Sequence, residues 1–258
     1  MSTHICENCN NQFTGQFCNN CGQKLVHRLT MSHLWHDLAH AFTHTDKGFF
    51  YMMGQLFVRP GIVAQEYIVE GKRKRYFLPL QYLVILGTIA TIIVVNSHYM
   101  ENTMDSVNQF MGNDEALKSQ PAIMQNVNLW MSKYYNIILF LQLPFYALAA
   151  LFIYRKKYKY NYAEMLTLQT FVTAQTTLIT TLLMLFSFYS KSFINSLNAI
   201  MIVASIFYQT WMYMQFFKEK SIVGFLKALG SYLLGIILFT IFVMIIALLL
   251  SIIIKIIS

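Results

Sequence analysis

The sequence predicts an all-α membrane protein: a five-helix transmembrane bundle, preceded by amphipathic cytosolic helices and by a small N-terminal ribbon. Three observations predict it. Of 258 residues, 56% are hydrophobic and only 12% charged, whereas soluble domains carry about a quarter charged residues. Apolar runs centred on 80–95, 137–153, 166–188, 193–217 and 229–254 can each reach the ~20 residues that a spanning helix needs. Four cysteines stand in two close pairs near the N-terminus. The chain therefore divides into a ribbon at 1–25, amphipathic juxtamembrane helices at 26–79 and a transmembrane helical domain at 80–258.

The opening MSTHICENCN has neither the charged segment nor the apolar segment of a secretory signal, so the ribbon is expected in the cytosol. In that reducing compartment close cysteine pairs are metal ligands sooner than disulfides. Cys6 and Cys9, then Cys18 and Cys21, form two C-x2-C pairs. Four thiolates suit the closed tetrahedral site of structural Zn2+, so a small N-terminal zinc ribbon is expected. Each knuckle needs a residue tolerant of left-handed backbone after its second cysteine, and Asn10 and Gly22 supply it. Phe13 and Phe17 predict a hairpin turning at Gly15 and a very small core, which leaves the metal to provide most of the folding free energy. A redox dithiol or an iron site lacks its usual context here. With no open coordination position, the ribbon reads as a docking element for a protein partner and not as a catalyst.

After a basic tether with Lys24 and Arg28, Thr30 is placed to cap a helix reaching about His44. Met31, Leu34, Trp35, Leu38 and Phe42 make its apolar face; His33, His36, Asp37, His40 and His44 make the other. Histidines four residues apart can chelate a divalent ion, so His36, His40 and His44 with Asp37 are a candidate second metal site. His36 and His44 are two turns, ~12 Å, apart, which favours a structural polar face instead. Phe49, Met52, Met53 and Leu56 predict a second helix of about ten residues, too short to span. Pro60 opens a third that Gly71 closes, and all three are expected on the cytoplasmic surface. Lys72, Arg73, Lys74 and Arg75, followed by Tyr76 and Phe77, are expected to anchor the junction to anionic headgroups, at ~1 kcal/mol per cation.

The run from Cys6 to Gln23, Asp46-Lys47-Gly48, Arg59-Pro60-Gly61, and Tyr67 followed by Gly71-Lys72-Arg73, Tyr76 and Pro79 resemble the bacterial zinc-ribbon membrane proteins grouped as domain-of-unknown-function family 3667. The resemblance covers the first third of the chain, with Asn10 where glycine is expected. It implies an N-terminal ribbon and a helical membrane domain, and it implies no activity.

Of 19 Lys and Arg residues, 8 precede the first span, 4 follow the second and 3 follow the fourth, leaving 4 for the opposite side. This asymmetry predicts a multi-pass protein of the bacterial inner (cytoplasmic) membrane with the N-terminus cytosolic and the C-terminus outside. The segment 96–135 is read as an outer loop, and a tight turn at Ser190-Lys191 joins the third and fourth spans. The same placement of the cations, beside apolar segments, argues against nucleic acid as a partner. The apolar cores contain no Asp, Glu, Lys or Arg, which counts against proton-coupled transport and intramembrane catalysis. The third span does carry Gln169, Thr170, Thr173, Thr176, Thr177, Thr180 and Thr181. These are read first as hydrogen-bonding groups between helices, with a polar groove at Gln169, Thr173, Thr176 and Thr180 as the alternative. Ser231 and Gly235 suit close packing of the last span. No phosphate-binding loop, dinucleotide fingerprint or nucleophile elbow is present, and HAFTH lacks the glutamate of a zinc-protease helix.

These readings favour a non-enzymatic membrane protein with an assembly, scaffolding or regulatory role, docking a partner through its ribbon. The alternatives are a small-molecule or lipid transporter or channel that uses the third-span polar face, and a metalloenzyme built on the histidines.

Overall fold

A computed structural model describes residues 3–25, 28–31, 48–103, 122–188 and 194–257. Apart from Thr30 and Met31, the predicted helix at 30–44 with its histidine face lies outside the described residues, as does the turn at Ser190-Lys191.

The ribbon opens with β1 (Thr3–Ile5) antiparallel to β2 (Gln12–Thr14), in the register Thr3↔Thr14, His4↔Phe13, Ile5↔Gln12. A single bridge, Phe17↔Lys24, repeats the arrangement around the second cysteine pair. Strand pairing thus flanks each knuckle and does not turn about Gly15. Alternation along β2 buries Phe13, while Phe17 is 58% exposed, so the expected two-aromatic core holds one aromatic among the sulfurs.

Two short helices follow, α1 (Gly48–Val58) and α2 (Pro60–Ile68), with Pro60 in the first turn of α2 where its missing N–H costs nothing. α2 ends at Ile68, and Gly71 takes a left-handed conformation (φ 71°) in the turn beyond it. The pair packs into the bundle. α2 buries Val63, Ala64, Tyr67 and Ile68, and Leu56 of α1 accepts a 3.0 Å hydrogen bond at its carbonyl from Tyr208. Apolar residues on several sides of so short a helix can be satisfied only by wedging it between longer ones.

Five long helices form the body: α3 (Pro79–Asn96), α5 (Tyr135–Tyr154), α6 (Tyr162–Met184), α7 (Ile194–Phe216) and α8 (Ile222–Ile257). A further helix, α4 (Ala122–Lys133), lies in the stretch read as an outer loop. Stretches within or overlapping α3, α5, α7 and α8 are long and apolar enough to cross a membrane. α6 matches them in length, but fifteen of its 23 residues are buried. It packs against α3, α5 and α7, and a helix shielded in this way can carry polar side chains that a lipid-facing helix cannot. Its start is fixed by a capping box: Asn161 Oδ1 accepts from the Glu164 N–H at 2.9 Å, and Glu164 Oε2 accepts from the Asn161 N–H at 2.8 Å.

The helices alternate in direction. At the ribbon end, Arg28 reaches Glu164 at the start of α6 (2.7 Å), and Lys157 after α5 and Lys227 in α8 converge on Glu219 after α7 (2.7 and 3.1 Å). At the far end, Tyr99 bonds Asn198, and the Asn136 N–H donates to Thr91 Oγ1 at 3.1 Å. Aromatic rings close the ribbon end, with Tyr154 stacked on Phe217 at 3.6 Å and Tyr213 and Phe216 edge-on to Phe217. On α8, Ser231 is fully buried, and a Cβ on Gly235 would come within 2.6 Å of the Tyr146 ring, which bears out the close packing read for this pair.

Candidate metal centre and polar cavity

The two knuckles repeat one backbone pattern. The N–H of Asn10 donates to the Cys6 carbonyl and that of Gly22 to the Cys18 carbonyl, both at 2.8 Å. The turn closes only with left-handed backbone at the donor, and Asn10 (φ 57°) and Gly22 (φ 73°) provide it, as their positions predicted. The four Sγ atoms lie within 4.8 Å of one another, Cys6 to Cys21 at 3.5 Å and Cys9 to Cys18 at 3.6 Å. A disulfide needs ~2.05 Å, whereas sulfurs ~2.3 Å from a common tetrahedral ion stand ~3.8 Å apart. The cluster can hold a metal ion, and its all-sulfur donor set fits one of the soft or borderline kind. Backbone N–H groups of Cys21 and Asn20 outweigh burial at Cys18 and hold its thiol down to about 6, while burial pushes Cys6 up to about 11.

Gln23 was not singled out from the sequence, although it ends the run that carries the resemblance. Its side chain is buried, donates to the Gly71 carbonyl at 3.1 Å and accepts from the Lys74 N–H at 3.2 Å. The ribbon is thereby keyed to the basic junction. The tether is also pinned: Arg28 grips both carboxylate oxygens of Glu164 at 2.7 and 2.9 Å, and Asn161 Nδ2 donates to the Leu29 carbonyl at 2.9 Å.

The four consecutive cations occupy a tight turn, with Arg73–Arg75 in one 3-10 turn. They are not a bare patch: Lys72 pairs with Glu70 at 2.7 Å, and Arg73 and Arg75 lie over the rings of Tyr67 and Tyr51. Glu66, another residue the sequence reading passed over, is a buried carboxylate that accepts from Tyr76 and Arg59, with Arg75 at 3.7 Å. A buried acid among an apolar helix's residues was the available signal, since such a group needs partners.

The polar face of α6 is drawn into one place. Gln169, Thr173, Thr176 and Thr180 line a cavity of about 140 Å³ together with Gln142 of α5, Ser205 and Gln209 of α7 and Tyr232 of α8. Thr181 is buried but does not line it. Bonds between helices come from the glutamines: Tyr213 donates to Gln169 Oε1 at 2.8 Å and Tyr82 to Gln175 Oε1 at 2.6 Å. His36, His40, His44 and Asp37 lie outside the described residues.

Membrane-length apolar helices and a compact four-cysteine cluster define a helical membrane protein with a small head that could hold a metal ion. A family model described as a protein of unknown function (DUF3667) matches residues 46–91, which supports membership of that family. The matched stretch holds α1, α2, the basic junction and most of α3. No curated protein and no solved structure matches the chain.

Proposed function

We propose that this is a non-enzymatic, multi-pass membrane protein whose cytosolic ribbon holds one structural zinc ion and docks a protein partner, in an assembly, scaffolding or regulatory role. Five helices span the bilayer, α3 and α5 to α8, with the N-terminus cytosolic and the C-terminus outside the bacterial inner membrane. The observation that carries the reading is the closed set of four sulfurs at tetrahedral spacing on a ribbon keyed by Gln23 to the membrane junction. Cys6, Cys9, Cys18 and Cys21 would hold the ion, which supplies folding free energy and no open position for substrate. Ile5 and Phe17, 62% and 58% exposed on so small a module, support a docking face. The orientation is supported by the convergence of Arg28, Lys157 and Lys227 at the ribbon end, and Lys74 and Arg75 remain exposed there for anionic headgroups.

The test combines elemental analysis with site-specific photocrosslinking from position 17 in intact membranes. The reading expects one zinc per chain, and a discrete crosslinked partner that disappears in Cys18→Ser. Protein without zinc, or a crosslinking pattern unchanged in Cys18→Ser, would overturn it.

A further inference from the structure

The cavity between α5, α6, α7 and α8 is lined without any Asp, Glu, Lys or Arg. A charged guest would find no counter-ion there, and at membrane depth that is prohibitive. The lining is nevertheless strongly polar, and three of its hydroxyls can only accept. Thr176 donates its only hydroxyl proton to the Val172 carbonyl at 2.9 Å, Thr180 to the Thr176 carbonyl at 2.9 Å, and Ser205 to the Met201 carbonyl at 2.8 Å. A hydroxyl whose proton is committed to its own helix can offer a neighbour only its lone pairs. These groups therefore do not join helices; they present acceptors to the cavity. Donors line the same space: the phenols of Tyr146 and Tyr232 and the amide of Gln142 stand among its walls.

We propose that this cavity binds a small uncharged polyol. A volume of about 140 Å³ is the share of four to five water molecules at ~30 Å³ each, and a three-carbon polyol has a similar bulk. Its hydroxyl protons meet the acceptors of Thr176, Thr180 and Ser205, and its oxygens accept from the donors of Tyr146, Tyr232 and Gln142. On the ribbon side the site ends at Gln169, which Tyr213 holds, with the Tyr154–Phe217 stack beyond it. The site is independent of the cysteine cluster, so its test does not bear on the zinc reading.

Saturation-transfer NMR on the full chain in lipid nanodiscs, with glycerol as probe and empty nanodiscs as baseline, decides the matter. Transfer to glycerol is expected above the baseline, and none to sorbitol, which is too large. Thr176→Val and Thr180→Val each remove one hydrogen bond at nearly constant shape and should weaken glycerol binding about five-fold. Ser205→Ala replaces either variant if it fails to fold, with the same expected loss. Thr88→Val, which removes an exposed hydroxyl on α3, should leave binding unchanged. A glycerol signal equal to that of empty nanodiscs, as a cavity holding water alone would give, overturns the proposal. So does full binding in both cavity variants.

Discussion

Replacing Gly61 with alanine puts a methyl group where the structure has no room for one. A Cβ at this position would lie 2.3 Å from Gln215 Cβ, 2.5 Å from the Met212 carbonyl oxygen and 2.5 Å from the Phe216 nitrogen. Carbon contacts relax at ~3.5–4.0 Å, so α2 would have to back away from α7 by about 1 Å. Two of the three obstacles are backbone atoms of a helix in the body, which cannot rotate aside as a side chain can. The cost should therefore fall at the upper end of the range for overpacking, ~3 kcal/mol. The retreat also stretches the hydrogen bonds that Gly61 N–H and Gln65 Nε2 make to Gln215 Oε1 and the Phe216 carbonyl. For a chain of this length ~3 kcal/mol corresponds to a loss of ~6–12 °C in melting temperature. Gly54, one helix earlier, is the control: nothing lies within 4 Å of its added Cβ, so alanine there should raise helix stability by up to ~1 kcal/mol. Thermal unfolding of purified variants in one detergent measures both. A Gly61→Ala protein that melts within ~2 °C of the parent would refute the wedge of α2 against α7.

Other variants probe the contacts at the ribbon end. Gln23→Leu strips partners from the Gly71 carbonyl and the Lys74 N–H, at ~1–3 kcal/mol for each group left unsatisfied, and amide exchange at 71–75 should quicken while the metal content stays unchanged. Glu164→Ala removes both the capping box and the Arg28 pair and should cost more than Glu164→Gln, which can still cap the helix; chemical denaturation separates the two, and equal losses would deny the cap a role. Burial pushes the Glu219 carboxyl up, but the hydrogen bonds and charges of Lys157 and Lys227 outweigh it and hold the group below its usual range. Its contribution is then fully present above the ordinary carboxylate value of ~4.3 and is lost as pH falls through the lower folded value. Melting temperature should fall with acid below that point in the parent and less steeply in Glu219→Gln.

The clustering of the four cysteines was legible residue by residue, because two C-x2-C turns with Asn10 and Gly22 behind them dictate a local geometry that needs nothing from the rest of the chain. The hairpin was not: Phe13 and Phe17 look equivalent in sequence, and only the pairing across each knuckle buries one and exposes the other. The packing of α1 and α2 against the bundle was not legible for a related reason. Their apolar residues fit a membrane surface as well as they fit a protein groove, and the groove is built by residues such as Gln215 and Phe216, about 150 positions away in sequence. The roles of Gln23, Arg28 and Glu164 were not legible because each acts through a partner that is remote in the chain.

α6 shows how hydropathy and architecture are linked. Judged by apolarity it is the weakest of the five long helices, since glutamines and threonines interrupt it along its length. α8 is the reverse, highly apolar yet only 6% buried over its membrane-length window. The difference follows from position: a helix ringed by others exchanges lipid contact for protein contact, so its side chains need hydrogen-bond partners more than they need hydrocarbon. Placing α6 at the centre is what lets Gln169, Thr173, Thr176 and Thr180 meet Gln142 and Gln209 in a shared cavity. The same placement puts the Asn161 and Glu164 cap under the Arg28 tether, so the ribbon and the polar cavity are attached to one helix, Glu164 and Thr180 being sixteen residues, or ~24 Å, apart along its axis.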